Sequence, residues 1–206
     1  MEQPLGIVEI LGLAGSLSLL AGWRLYLCIL ATGLAMRFDA LPLPDHLEGL
    51  RALANPWVMG VAGFAAIAEF FADKIAWLDS VWDTIHTAIR PLGGALLTLA
   101  VVDPADPVTQ AVAFILGGGA TLVAHGGKAG ARAVVNTSPE PFSNVAVSAT
   151  EDIATVGLLY LAYEYPVAAA VIAVVLLALA VVLLLAARRM LRRLFGSRQA
   201  VDSGGP

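Results

Sequence analysis

The chain has 206 residues, 59% of them hydrophobic and 14% charged, and a mean hydropathy of +0.82. A soluble domain carries about 25% charged residues, so this composition excludes one and indicates an integral membrane protein. Net charge is formally −4, yet Arg188, Arg189, Arg192, Arg193 and Arg198 crowd one end; the remainder is acidic, and nucleic acid is not an expected partner.

Residues 1–4 lack the basic start of a cleaved signal, so the first apolar segment is expected to stay in the mature protein. That segment, residues 5–36, far exceeds the ~20 residues that cross a bilayer core and must tilt, break or re-enter. Gly12, Gly15, Ser16, Ser18 and Gly22 supply small residues for a break or for close helix contact. Arg24 follows in mid-run and needs either a counterion or a route to an interface. Residues 37–55, with Pro42 and Pro44, read as a polar connection.

Pro56 at a first helical position opens a second span over residues 57–71, which Asp73 and Lys74 close. A third span covers residues 81–102. The fourth, 108–135, holds Gly117, Gly118, Gly119, Gly126 and Gly127 and is expected to unwind near His125, since each glycine costs ~1 kcal/mol inside a helix. A fifth span at 142–163 follows the prolines Pro139 and Pro141, and a charge-free sixth at 167–187 is stopped by the arginine cluster. Residues 196–206 read as a disordered cytoplasmic tail, leaving 1–195 as a single transmembrane domain.

The fold class is therefore an all-α, six-span integral membrane protein with its first and fourth segments broken or re-entrant. Six spans put both termini on one side, and the arginines make that side cytoplasmic, in the inner (plasma) membrane of the cell. A shift of 105 residues aligns Leu11, Gly12, Gly22 and Thr32 with Leu116, Gly117, Gly127 and Thr137. Halves 5–102 and 107–187 would then form an inverted three-plus-three repeat, the plan of many secondary transporters.

The chemistry is concentrated between Glu69 and Arg90. From Asp79 the charges fall at Asp79, Asp83, His86 and Arg90, spacings that keep them on one helix face. Asn144, Ser148, Glu151 and Thr155 repeat those spacings, with Asp152 adjacent. With Arg24, Asp73, Lys74, His125, Lys128 and Arg132 they form an inventory whose burial one by one would be prohibitive, so pairing is expected. The two stripes are expected to face each other across a cleft, with Lys128 and Arg132 between them and about one negative charge left over.

A static salt-bridge core and a proton- or ion-coupled path both fit this inventory, since such polar residues both glue membrane helices and carry charge. Zinc, nucleophile and phosphate-loop motifs are absent, the single Cys28 rules out an intrachain disulfide, and Arg90 and Lys128 oppose a bound metal. No cofactor is expected, and an enzyme is the less favoured class. The favoured function is a transporter or channel for a small polar or charged solute in the lipid bilayer, compatible with a homo-oligomer. The alternatives are an intramembrane enzyme acting on a lipid head group, with Asp79, Asp83 and His86 as its acid–base groups, and a structural membrane protein.

Four motifs carry a resemblance: Glu69-x-x-x-Asp73-Lys74, Leu78-Asp79-x-x-x-Asp83-Thr84, His125-x-x-Lys128-x-x-x-Arg132, and Glu151-Asp152. On them the chain resembles a bacterial membrane-protein family catalogued as domain of unknown function 4126, over about residues 11–185. Ala76 stands where that family is expected to have proline. The resemblance implies a helical membrane fold and a set of polar positions, but no substrate or reaction.

Overall fold

The computed structural model describes residues 7–38, 40, 45–102, 105–135 and 141–202. Among them the chain is all-α: α1 (Ile7–Arg37), a 3-10 helix (Asp45–Ala54), α2 (Pro56–Ala72), α3 (Ala76–Leu99), α4 (Pro107–Val135), α5 (Pro141–Glu164) and α6 (Pro166–Asp202). Four stretches are long and apolar enough to cross a membrane: Val8–Arg37, Pro107–Ala133, Val145–Glu164 and Pro166–Ala186. The apolar α2 is shorter, and α3 carries the charged stripe, so length and hydropathy alone do not give six spans.

Proline opens α2, α4, α5 and α6, at a position where its missing N–H has no intrahelical partner and its fixed φ is already helical. Asn55 caps α2 by accepting from the Trp57 N–H at 2.9 Å, and Asp106 caps α4 by accepting from the Val108 N–H at 3.0 Å. The Thr109 hydroxyl also donates to Asp106, and these bonds hold its carboxyl below the ordinary aspartate range. A lowered folded-state pKa means that the cap is complete above the ordinary value of 3.8 and is lost as pH falls through the folded one. The start of α4 is therefore expected to fray only in strong acid, which the Asp106 carboxyl shift in an NMR titration would follow.

The central element is α1, and it is not straight. Arg24 has φ −144° and ψ 68°, outside the helical region. Gly12 packs on Pro166 and Ala170 in the first turn of α6, and the Thr32 hydroxyl lies 2.8 Å from that of Tyr163 in the last turn of α5. Arg24 instead meets Ser148, near the other end of α5. In a straight helix Gly12 and Thr32 would be ~30 Å apart, on opposite sides of Arg24. Both lie at the far end of α5 from Arg24, so α1 is a hairpin with its tip at Arg24, and the break expected in the first segment is present. Gly33 packed on Leu53, and Gly49 of the 3-10 helix on Ala100, mark the same returning end.

The two arms of α1 form the core. Leu13, Leu17, Leu20, Leu25 and Cys28 pack with Leu47 and Leu50 of the 3-10 helix, Leu97 of α3 and Leu159 of α5. Outward faces carry Phe64, Ile67, Ile153, Val171 and Leu185, the surface that lipid would cover. Gly22 lets α1 and α4 touch: a Cβ there would lie 2.6 Å from the Thr121 carbonyl oxygen and 2.7 Å from the Ala124 Cβ. Gly22→Ala is therefore expected to cost about 1–3 kcal/mol, as overpacking does. Gly15→Ala, whose Cβ would meet only Ala173 at 3.7 Å, should be near neutral; unfolding midpoints in detergent compare the two.

Four expectations bear directly on this architecture. First, α4 does not unwind at His125 but is helical from Pro107 to Val135. Its glycines serve contact instead: a side chain at Gly127 would meet Ala180 of α6 at 2.9 Å, and one at Gly117 would overlap Thr98 of α3. Close packing outweighs their helix penalty. Second, α6 continues past Gly196 to Asp202, because a lone glycine among good helix formers does not end a helix.

Third, the described ends of α1 and α6 do not sit together. Gly12 sits at the start of the 37-residue α6, so the described N-terminal end of α1 and the C-terminal end of α6 lie at opposite ends of the bundle. The hairpin adds a reversal that a count of straight spans lacks. Fourth, the inverted repeat is not confirmed. The first arm of α1 and α4 run the same way, with Ser18 beside Thr121 and Gly22 beside His125. A 105-residue shift also carries α2 across the break between α5 and α6.

The hairpin makes a plain prediction. Val8→Cys and Phe38→Cys, made singly, are expected to react with an impermeant maleimide from the same side of a sealed vesicle, and the native Cys28, fully buried, should stay silent. Labelling from opposite sides would mean that α1 crosses straight through.

Candidate functional site

Charged side chains from α1 to α5 converge on the hairpin tip. The Arg24 guanidinium pairs with Asp73, its Nη2 lies 3.1 Å from Glu151 Oε2, and its Nε lies 2.9 Å from Asp152 Oδ1. Nη2 also donates to the Ser148 carbonyl and hydroxyl oxygens, both at 3.1 Å. Only a planar fork with five donors can engage three carboxylates and a serine at once, which is why arginine stands here.

A second cluster is centred on Arg90. Its Nη2 pairs with Glu69, and its Nη1 lies 3.4 Å from Asp83 Oδ1 and donates to the Gly22 carbonyl at 3.2 Å. Nη1 also lies 2.7 Å from His125 Nδ1. An arginine has only donors, so Nδ1 accepts, which leaves the Nε2–H to donate to the Asp83 carbonyl at 3.0 Å. His86 is fixed the other way: Nδ1–H donates to the Trp82 carbonyl at 2.7 Å, and Nε2 accepts from the Tyr26 hydroxyl at 2.9 Å.

Lys128 ties the clusters together. Its Nζ is 3.6 Å from Glu151 Oε2 and 3.8 Å from both Glu69 Oε1 and Asp73 Oδ2, and it donates to the Trp23 carbonyl at 3.0 Å. Lys128 and Arg90 thus hold the carbonyls at the end of the first α1 arm, where the helix dipole places negative charge. Arg132 does the same for α2 by donating to the Asp73 carbonyl, and its Nη2 lies 3.3 Å from Asp79 Oδ1.

The two stripes are joined through intermediaries. On α3, Arg90 and Asp79 pair with Glu69 of α2 and Arg132 of α4, while Glu151 and Asp152 of α5 pair with Arg24 and Lys128. Arg24 and Glu69 therefore stand between the stripes, in place of the expected direct cleft. Thr155 only donates to the Glu151 carbonyl of its own helix, at 2.7 Å. The Asn144 side chain lies outside the described residues. Lys74 Nζ lies 3.0 Å from the Phe70 ring centroid and donates to the Phe70 carbonyl at 2.9 Å, where lost hydration holds its ammonium below the ordinary lysine range against the attraction of Asp152 and Asp73.

Among the described residues, six carboxylates (Glu69, Asp73, Asp79, Asp83, Glu151, Asp152) face five cations (Arg24, Arg90, Lys128, Arg132 and, acting on Asp152 and Asp73, Lys74), which leaves one formal negative charge. Among the described residues no group of three or more His, Cys, Asp or Glu side chains is placed to hold a metal.

Two cavities open onto the network. A groove of about 950 Å³ runs between the returning arm of α1, α2 and α5, with Arg24, Glu69 and Asp152 at its floor. A polar pocket of about 210 Å³ between α3 and α4 is lined by Asp79, Asp83, Thr87 and Arg132. Sequence inspection missed Tyr26, Thr87 and the carbonyls of Gly22 and Trp23. The nearness of Tyr26 to Arg24 was a usable signal, but a backbone carbonyl leaves none.

Comparison with curated proteins and with solved structures returns no match. The family described as Domain of unknown function (DUF4126) matches residues 11–186, which include the whole charged network, and the chain belongs to that family.

Proposed function

We propose that this protein is a membrane transporter for a small charged solute, coupled to protons or a monovalent cation through the network at the α1 tip. The observation that carries the proposal is continuity. From the α3–α4 pocket, Asp83, Arg90, Glu69, Arg24 and Asp152 form an unbroken series of ion-pair contacts, none longer than 3.9 Å, that ends in the α2–α5 groove. A surplus negative charge in so buried a place calls for a proton or a cation to offset it. Lys74, Arg132 and the arginines from Arg188 onward belong to the end of the bundle near the hairpin tip, which the positive-inside rule assigns to the cytoplasm.

A structural role is the second reading, favoured by the way Arg90, Lys128 and Arg132 hold carbonyls at helix ends. Proteoliposomes containing a pH-sensitive dye separate the two. The proposal expects wild-type protein to dissipate an imposed proton or cation gradient and Glu69→Gln to do so at least about tenfold more slowly, as loss of a coupling carboxylate requires. Flux no faster than in empty liposomes would leave only the structural role.

A further inference from the structure

We infer that the α2–α5 groove is the substrate site and that its occupant is a lipophilic cation, an apolar body carrying one delocalised or amine positive charge; this rests on the transport reading. The groove walls are Leu27, Leu30, Ile67, Phe70, Ile153 and Val156, an apolar and partly aromatic lining that faces the lipid side of the bundle. At about 950 Å³ it is the size of pockets that enclose drug-sized molecules.

The floor sets the sign of the charge. Arg24 and Glu69 keep only 2% of their side-chain surface exposed, whereas Asp152 keeps 27%. The charged group of the lining that an occupant can best reach is therefore the Asp152 carboxylate, in a network with one negative charge in surplus. Aromatic walls suit a cation as well: the Lys74 ammonium already lies over the Phe70 ring, and Phe71 offers a second ring in the lining. A phospholipid amine head fits less well, because its phosphate would lie beside surplus negative charge. The groove also has room to spare: a Cβ at Gly157 meets nothing within 4 Å, and one at Gly63 meets only Leu30 at 3.8 Å.

Tetraphenylphosphonium and tetraphenylborate, nearly the same shape and opposite in charge, test this in purified full-length protein held in phosphatidylglycerol nanodiscs. Saturable binding of the phosphonium, and none of the borate, is expected. Asp152→Asn should weaken binding at least about tenfold by removing the reachable charge. Gly157→Leu, which fills the groove without a clash, should abolish it, and Gly60→Leu, an open position of α2 outside the lining, should leave it unchanged. Should Gly157→Leu fold poorly, competition between the two ions on wild-type protein still decides the matter.

Equal binding of both ions, or phosphonium binding indifferent to Gly157→Leu, overturns the assignment. So does displacement by added phosphatidylethanolamine, which would give the groove to a lipid amine. Binding without coupled flux would refute the transport reading while leaving the site; proton flux without phosphonium binding would do the reverse.

Discussion

Replacing Arg24 by Met is expected to remove about 3–5 kcal/mol of stability, the cost of breaking a buried ion pair from one side. Its guanidinium is the shared partner of Asp73, Glu151 and Asp152, and Met would leave these carboxylates desolvated beside a helix break. Arg24→Lys should recover only part of the loss, because an ammonium is a point charge and cannot reach Asp73, Asp152 and the Ser148 carbonyl together. Pairing Arg24→Met with Asp73→Asn should be less damaging than the sum of the single changes. Denaturant unfolding in mixed micelles measures all four. A loss below ~1 kcal/mol, or wild-type behaviour of Arg24→Lys, would mean that the tip is hydrated and the network loose.

The second large effect is expected at Lys128. Met at this position takes a cation from Glu151, Glu69 and Asp73, leaving them only their arginine partners, and also releases the Trp23 carbonyl, so a loss of about 3 kcal/mol is expected. A double-mutant cycle shows where the charge acts. Lys128→Met combined with Glu151→Gln should show a coupling above ~0.5 kcal/mol, and with Asp79→Asn, which pairs with Arg132 instead, little or none. Coupling to Asp79 in place of Glu151 would restore the direct facing of the α3 and α5 stripes and contradict the arrangement around Arg24.

The two effects share a cause, a helix broken where a charge must sit. A broken backbone in lipid survives only if protein satisfies its polar groups. At the α1 tip the guanidinium of Arg90 and the ammonium of Lys128 do this, and Arg90 also belongs to the ion-pair series that runs between the two cavities. Unfolding measurements and tests of the proposed transport therefore fall on the same residues. The binding and flux experiments are needed beside unfolding because only they move with function alone.

Much of this was legible in one dimension. Hydropathy marked the membrane protein, the prolines at 56, 107, 141 and 166 marked helix starts, and the four-three-four spacings put Asp79, Asp83, His86 and Arg90 on one face of α3. Length alone required the first apolar run to break, and charge in an apolar setting marked the site residues, because the cost of burying a charge is local and composition reports it. Direction is not local. Whether α1 crosses or returns depends on Gly12 meeting α6 and Thr32 meeting α5, and that reversal alone puts the described ends of α1 and α6 at opposite ends of the bundle. The glycines of α4 show the same limit: the sequence prices each at its helix penalty, and only packing against Thr98 and Ala180 reveals what offsets it. Which acid pairs with which base was likewise decided in three dimensions, since any of six carboxylates could satisfy any of five cations until the hairpin placed Arg24 among them.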